Sequence, residues 1–367
     1  MGVKNSRSII SALLICSMII LLSFSGCSGC GDRVEMVKAV DFGFRGEYFR
    51  YDLFSKFFDN SAKYARDEGH IYFIGKDGLY YGKERSGVYK KLPSPEYEIE
   101  RLYVYDGILY CLAFDAQSGD EGKYILYRRN KGSGYEVIWT SDSFDRSLYN
   151  SSYTFDISDF AVYGDVLMIE GGEQLFIISL KDMSLKELPK GVRDFCIHDG
   201  KLIIGDSVKI FSLYSYDLTT LDEELLRGSG VVHSYFDDIP DDDILYEQPF
   251  EYRGQLYYTT RRPYYVERYS EDGDDKMIIE FPPQYDIALF RGAESLYIAA
   301  RKPDFSAVDE KRSNANPVQI YKYDPAAGTV SECIYSADVN CSEFCILADV
   351  LVYHDGEQMN YVDLSIF

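Results

Sequence analysis

Beyond about residue 60, short runs of Tyr, Phe, Ile, Leu and Val alternate with turns carrying Gly and Asp, and helical periodicity is nearly absent. The pattern predicts a strand, a tight turn and a second strand, over and over. Arg66-Asp67-Glu68-Gly69 precedes Ile71-Tyr72-Phe73, and Tyr105-Asp106-Gly107 precedes Ile108-Leu109-Tyr110. The same unit returns at Gly164-Asp165, Asp199-Gly200, Arg253-Gly254, Arg291-Gly292 and Ala348-Asp349. The landmarks at 69, 107, 164, 200, 254, 292 and 349 are separated by 38, 57, 36, 54, 38 and 57 residues. A second hairpin follows the first. Tyr124–Arg128 turns into Val137–Trp139, Leu175–Leu180 into Leu185–Leu188, Leu213–Asp217 into Glu224–Leu226, and Ile320–Asp324 into Val330–Tyr335.

Each unit is therefore four strands in an antiparallel meander. Such a sheet is apolar on both faces and cannot stand alone, whereas a radial arrangement buries each face on a neighbour. A mean repeat of about 47 residues lies in the range of propeller blades. The expected fold is all-β: a seven-bladed β-propeller of four-stranded antiparallel blades, with six or eight blades left open because 41–59 is hard to assign. The last unit has three strands, Phe344–Leu347, Val350–Tyr353 and Met359–Leu364, and Glu35–Val40 is a strand-like run without a blade of its own. That N-terminal strand is expected to close the last blade. The repeats resemble those of bacterial secreted propellers of unknown function and, distantly, YWTD-type repeats. The Gly171-Gly172 doublet is similar to a Kelch signature. The single Trp, Trp139, argues against Trp-dependent propeller classes.

The N-terminus has another character. Lys4 and Arg7 precede an apolar run from Ile9 to Leu22, followed by Phe24-Ser25-Gly26-Cys27. This is the layout of a secretory signal, too short for a comfortable membrane span. The ending resembles the lipobox of bacterial lipoproteins, with Phe24 where that family usually has Leu. The resemblance implies cleavage before Cys27 and lipidation of that residue. The expected organisation is a signal peptide over 1–26, a lipidated tether over 27–34 and the propeller over 35–367. The expected location is the bacterial cell membrane or envelope, lipid-anchored and extracytoplasmic, since two or more acyl chains hold a soluble domain on a membrane stably.

Composition narrows the partners. The chain of 367 residues carries 38 Lys+Arg against 60 Asp+Glu, a net charge of −22, so no nucleic-acid partner is expected. Aromatics make up 16%, with 34 Tyr and 22 Phe, which excludes disorder. Eight Cys are too few for a disulfide scaffold of this length. Cys111, Cys196 and Cys345 fall in apolar runs and are expected as buried thiols. Cys333 and Cys341 flank a turn-like stretch, and pairing there stays open. A monomer is expected.

Four connections are long: Asp115–Lys123, Ser141–Asp156, Gly228–Gln248 and Lys302–Pro317. In a meander of four strands all four fall on one end of the ring, and long connections tend to be functional. The candidate binding face takes Asp142, Arg146, Tyr149 and Tyr153 from one connection. It takes Tyr235, Asp237, Asp238 and Asp242 from another, and Arg261, Arg301 and Lys302 from neighbouring units. Tyr and Arg are frequent anchors of binding surfaces. The acids of 237–243 read as a Ca²⁺ site or a solvated acidic loop, and the lack of an Asp-x-Asp-x-Asp-Gly run favours the latter. No other cofactor or metal is expected. Motifs for zinc, nucleotide or serine-nucleophile chemistry are absent, and His70, His198, His233 and His354 are scattered. The expected function is a binding or scaffold module for a protein or glycan of the envelope or its surroundings. The alternatives are a carbohydrate-active hydrolase or lyase with acids in the funnel, and an envelope assembly factor.

Overall fold

The structure, a computed structural model, describes residues 64–367 apart from 68, 76–77, 84–88, 117–121, 131–133, 142–156, 172–173, 192–193, 206–211, 229–243, 262–263, 284, 293, 302–316, 338–342, 348 and 355–358. Its strands form consecutive antiparallel meanders. Sheet 1 holds β1 (Tyr64–Asp67), β2 (His70–Gly75), β3 (Gly78–Lys83) and β4 (Lys90–Lys91). Sheet 2 holds β5 (Glu98–Tyr105), β6 (Ile108–Asp115), β7 (Lys123–Asn130) and β8 (Gly134–Thr140). Sheet 3 holds β9 (Ile157–Tyr163), β10 (Val166–Gly171), β11 (Gln174–Ser179) and β12 (Leu185–Gly191). Sheet 4 holds β13 (Asp194–His198), β14 (Lys201–Gly205), β15 (Leu213–Asp217) and β16 (Glu223–Arg227). Sheet 5 holds β17 (Leu245–Tyr252), β18 (Gln255–Arg261), β19 (Tyr264–Arg268) and β20 (Lys276–Phe281). Sheet 6 holds β21 (Asp286–Arg291), β22 (Leu296–Arg301), β23 (Val318–Asp324), β24 (Thr329–Val330) and β25 (Tyr335–Ala337). A last sheet holds β26 (Glu343–Leu347), β27 (Val350–His354) and β28 (Met359–Asp363), followed by a 3-10 turn at Leu364–Ile366.

The first strands of neighbouring sheets lie against one another, β1 against β5, β5 against β9, β13 against β17 and β21 against β26, so they form the inner wall. Between the sheets lie apolar cores. Leu79 and Tyr72 of sheet 1 meet Leu102, Leu109 and Cys111 of sheet 2. Leu112 and Leu126 of sheet 2 meet Phe160 and Ile169 of sheet 3. Further cores join sheets 3 and 4 through Met168 and Leu202, 4 and 5 through Ile203 and Tyr258, and 5 and 6 through Tyr257 and Ile298. The remaining core closes the ring: Ile71 and Phe73 of sheet 1, Phe290 and Ile320 of sheet 6, and Ile346 and Leu351 of the last sheet share it. Each such side chain contributes about 1.5–3 kcal/mol by leaving water.

The molecule is an all-β propeller of four-stranded antiparallel blades. Among the described residues six sheets reach four strands or more and are complete blades, and the expected seven are corrected to six. The last sheet has three described strands, and a 3-10 turn follows β28. Glu35–Val40, expected as its outer strand, lies outside the described residues. In sheet 6 the outer strand is split, and β24 and β25 both pair with β23. Cys333 falls in the split as an exposed free thiol, while Cys111 and Cys196 are buried free thiols as expected.

The tight turns follow from local chemistry. Asp106-Gly107 (φ 49°, 67°), Asp199-Gly200 (49°, 75°) and Arg253-Gly254 (54°, 73°) each put two successive residues at positive φ, the requirement of a type I′ hairpin. One glycine has a tertiary role. β17 is bulged between Glu247 and Phe250, and the bulge seats on Gly205 of the preceding blade. A Cβ at Gly205 would stand 2.9 Å from Pro249 Cδ and 3.2 Å from the Gln248 nitrogen, neither of which is a flexible chain end. Gly205→Ala should cost about 2 kcal/mol by overpacking. Chemical denaturation of both proteins checks this, and an unchanged midpoint would show that the bulge yields.

Candidate functional site

Successive connections of an antiparallel meander leave from alternate ends of a sheet. The connections after β6, β8, β16 and β22 therefore emerge from one end of the ring, which is the end carrying 116–122, 141–156, 228–244 and 302–317. The third is shorter than expected, because β17 begins at Leu245 and Gln248 belongs to its bulge. The opposite end carries the tight turns.

The roots of these connections are fastened. Tyr124 holds both ends of the 141–156 connection: its backbone N–H donates to Ser141 Oγ at 2.9 Å, and its hydroxyl accepts from the Ile157 N–H at 3.4 Å. Arg101 Nε donates to the Ile157 carbonyl at 3.2 Å, from a point where β5 is bulged. At the root of 228–244, Gly228 has φ 98° and lies directly on the buried Ser212, leaving no room for a Cβ.

The strand ends beneath the connections carry buried charge. Asp115, Asp159, Glu170, Asp194, Glu247 and Arg301 are all buried. Glu170 stands directly opposite Asp159 across β10 and β9, and Asp159 Oδ1 accepts from the Phe160 N–H at 2.8 Å. Arg301 is opposite Asp286, and Glu247 opposite Thr259. Among the described residues no three His, Cys, Asp or Glu side chains are placed to hold a metal ion.

Further down the axis, toward the tight turns, Tyr103 of β5 packs on Phe160 with ring centroids 5.9 Å apart. Burial raises its pKa above the usual phenol range, Arg291 opposes that rise, and Asp159, Cys196 and Glu251 reinforce it. Tyr103 thus lies in electrostatic reach of groups on four other inner strands. Arg291 Nη2 stands 3.5 Å from Glu251 Oε2, the two side chains being 30% and 24% exposed.

Of the residues proposed from sequence, Asp142, Arg146, Tyr149, Tyr153, Tyr235, Asp237, Asp238, Asp242 and Lys302 lie outside the described residues, as does Cys27. Arg261 ends β18, paired with Leu245. Arg301 ends β22 and is only 3% exposed, so it underlies the face instead of standing on it.

Sequence reading missed a network between sheets 4 and 5. Asp275 accepts from Arg227 Nη2 at 2.6 Å, from Arg227 Nε, from the Tyr258 hydroxyl and from the Ser270 N–H at 2.7 Å. The guanidinium lies 4.4 Å from the Tyr269 ring centroid. Arg227 and Asp275 are 48 residues apart, and no local signal announces the pair. Burial works against the Asp275 charge, yet hydrogen bonds from Arg227, Tyr258 and Ser270 outweigh it and hold the carboxyl below its usual range. Glu267 beside it is raised, chiefly by burial and further by Asp275.

The signs differ. Asp275, depressed in the fold, contributes stability that is full above its unfolded pKa near 3.9 and is lost as pH falls through the folded value. Asp275→Asn should cost about 3 kcal/mol at pH 7, and progressively less as pH falls through the depressed folded value. Glu267, raised in the fold, contributes stability that is full below its unfolded pKa and is lost as pH rises through the folded value. Glu267→Gln should therefore raise the urea midpoint at pH 7 relative to wild type and lose that advantage near pH 4. A midpoint lowered equally at both pH values would contradict the assignment.

No family model matches the chain, and no curated protein matches it. Solved structures similar to it include the extracellular domain of BT4673 from B. thetaiotaomicron, at 14% identity and TM-score 0.45, over 82% of this chain and 38% of that one. The tricorn protease is similar at 12% identity and TM-score 0.49, over 83% of this chain and 33% of that one. Kluyveromyces lactis Hsv2 is similar at 8% identity and TM-score 0.49, over 83% and 99% of the two chains. The chain thus spans 38% of the length of the first of these. Among the described residues no helix is long and apolar enough to cross a membrane.

Proposed function

We propose that the protein is a membrane-anchored, extracytoplasmic binding module. A lipid on Cys27 holds it to the bacterial envelope, and the end of the ring with the long connections receives a protein or glycan. The observation that carries this reading is the asymmetry of the two ends. One end is closed by connections no longer than 269–275, while the other sends out the far longer 141–156, 228–244 and 302–317, the first of them fastened at both roots by Tyr124. A ring bearing long loops on one rim suits recognition. We further propose that Glu35–Val40 supplies a fourth strand to the last sheet. The reading is supported by the shared core of the last sheet and sheet 1, whose β1 is the first described strand.

A second reading is a carbohydrate-active hydrolase or lyase, favoured by the opposed buried acids Asp159 and Glu170. The two readings separate on variants. Under the binding reading, Tyr149→Ala with Tyr235→Ala lowers retention on immobilised envelope glycans or proteins at least tenfold, while Asp159→Asn with Glu170→Gln leaves retention unchanged. Product release from glycans by wild type that is lost in the Asp159→Asn, Glu170→Gln protein would replace binding with catalysis. For the anchor, wild type should enter the detergent phase and Cys27→Ala the aqueous phase, and aqueous partitioning of both would remove it.

A further inference from the structure

The end of the ring with the tight turns is not uniform. On sheets 2, 3 and 4 it carries a run of half-buried apolar and aromatic side chains at the margins of two cores. Tyr105, Ile108 and Leu180 flank the core between sheets 2 and 3, and Tyr163, Val166 and Ile197 flank the core between sheets 3 and 4. The run is continuous, since the Tyr105 and Tyr163 rings lie 5.0 Å apart. Met183, in the turn after β11, extends it outward and is 46% exposed. The matching turn of sheet 5 differs: Tyr252 is buried and covered by Arg253, 5.6 Å from its ring. Sheet 5 therefore bounds the apolar arc on one side.

Its rim is acidic. The described turns of sheets 2 to 4 hold Asp106, Asp165, Asp182, Asp199 and Asp222 against one cation, Lys181, which is spent on Asp165 at 2.7 Å. Lys201 beside them is paired with Glu224 at 3.0 Å. Hydrogen bonds from Ser179 and Ser184 hold the Asp182 carboxyl down at about 2, so it keeps its charge through the physiological range. A contiguous apolar surface rimmed by one sign of charge marks an interaction site, and charge complementarity selects the partner.

We propose that the turn end of sheets 2 to 4 is a second docking surface, on the opposite end from the long connections, and that its occupant is a cationic polypeptide segment with apolar or aromatic side chains. The arc takes the apolar side chains, and the aspartates take the flanking Lys or Arg. An anionic lipid surface is repelled by the same rim.

The test uses the full chain in phosphatidylcholine nanodiscs, with empty discs as blank. The probe is a fluorescent 16-residue peptide alternating Lys-Lys and Leu-Trp pairs, and its counterpart has Glu for every Lys. Wild type should bind the Lys peptide and not the Glu peptide. Asp106→Asn, Asp165→Asn and Asp199→Asn together should weaken binding at least tenfold, and Asn tolerates the positive φ of Asp106 and Asp199. Met183→Ser alone should weaken it severalfold. Glu271→Gln, Asp274→Asn and Glu280→Gln remove the same charge from exposed positions on sheet 5 and should leave binding unchanged. Equal loss in the two triple variants, or no loss in the first, would overturn the proposal, because the peptide would then be reading only the overall acidity of the chain.

Discussion

A four-stranded sheet whose two faces are both apolar has to find cover for both, and this requirement shapes the whole molecule. Stacking would leave outer faces bare, whereas a ring leaves none. The decisive contact is the core that Ile71 and Phe73 of the first sheet share with Ile346 and Leu351 of the last and with Phe290 and Ile320 of sheet 6. Without it, sheet 1 and the C-terminal sheet would each present an uncovered face. Polar locks add to this burial. Arg227 and Asp275 tie sheet 4 to sheet 5, and Arg101 ties β5 to β9.

Ring closure also sorts the functional parts. Once the sheets are radial, an even number of strands per blade sends alternate connections to alternate ends. Length added between β8 and β9 or between β22 and β23 then accumulates on one rim without disturbing any core. The strand ends beneath that rim carry buried charge such as Asp159, Glu170 and Arg301 beside buried apolar residues such as Ile157. The far rim must stay compact, and its short turns bring neighbouring blades close enough for Tyr105 and Tyr163 to touch.

Much of this architecture was legible in the chain. Asp106-Gly107 and Asp199-Gly200 announce hairpins because few other residues accept positive φ, and β-branched and aromatic runs beside them announce strands. The boundaries of the long connections followed from the same signals, except at β17, where the bulge over Gly205 is a tertiary fit that no local pattern encodes. The burial of Arg301 and the joining of Arg227 to Asp275 were not legible either. Both depend on which sheets become neighbours, and hydrophobic alternation does not state that. The count of complete blades differs because the last sheet has three described strands, and the run expected to complete it, Glu35–Val40, lies outside the described residues.

The central claim is that the first and last sheets share one core. Hydrogen exchange read by mass spectrometry on wild type and Leu351→Ala tests it most directly. Opening that core should speed exchange in β2 and β22 as well as in β26–β28, since Ile71, Phe73, Tyr297 and Ala299 lose their common packing. Faster exchange confined to β26–β28, with β2 as protected as in wild type, would contradict the closed ring.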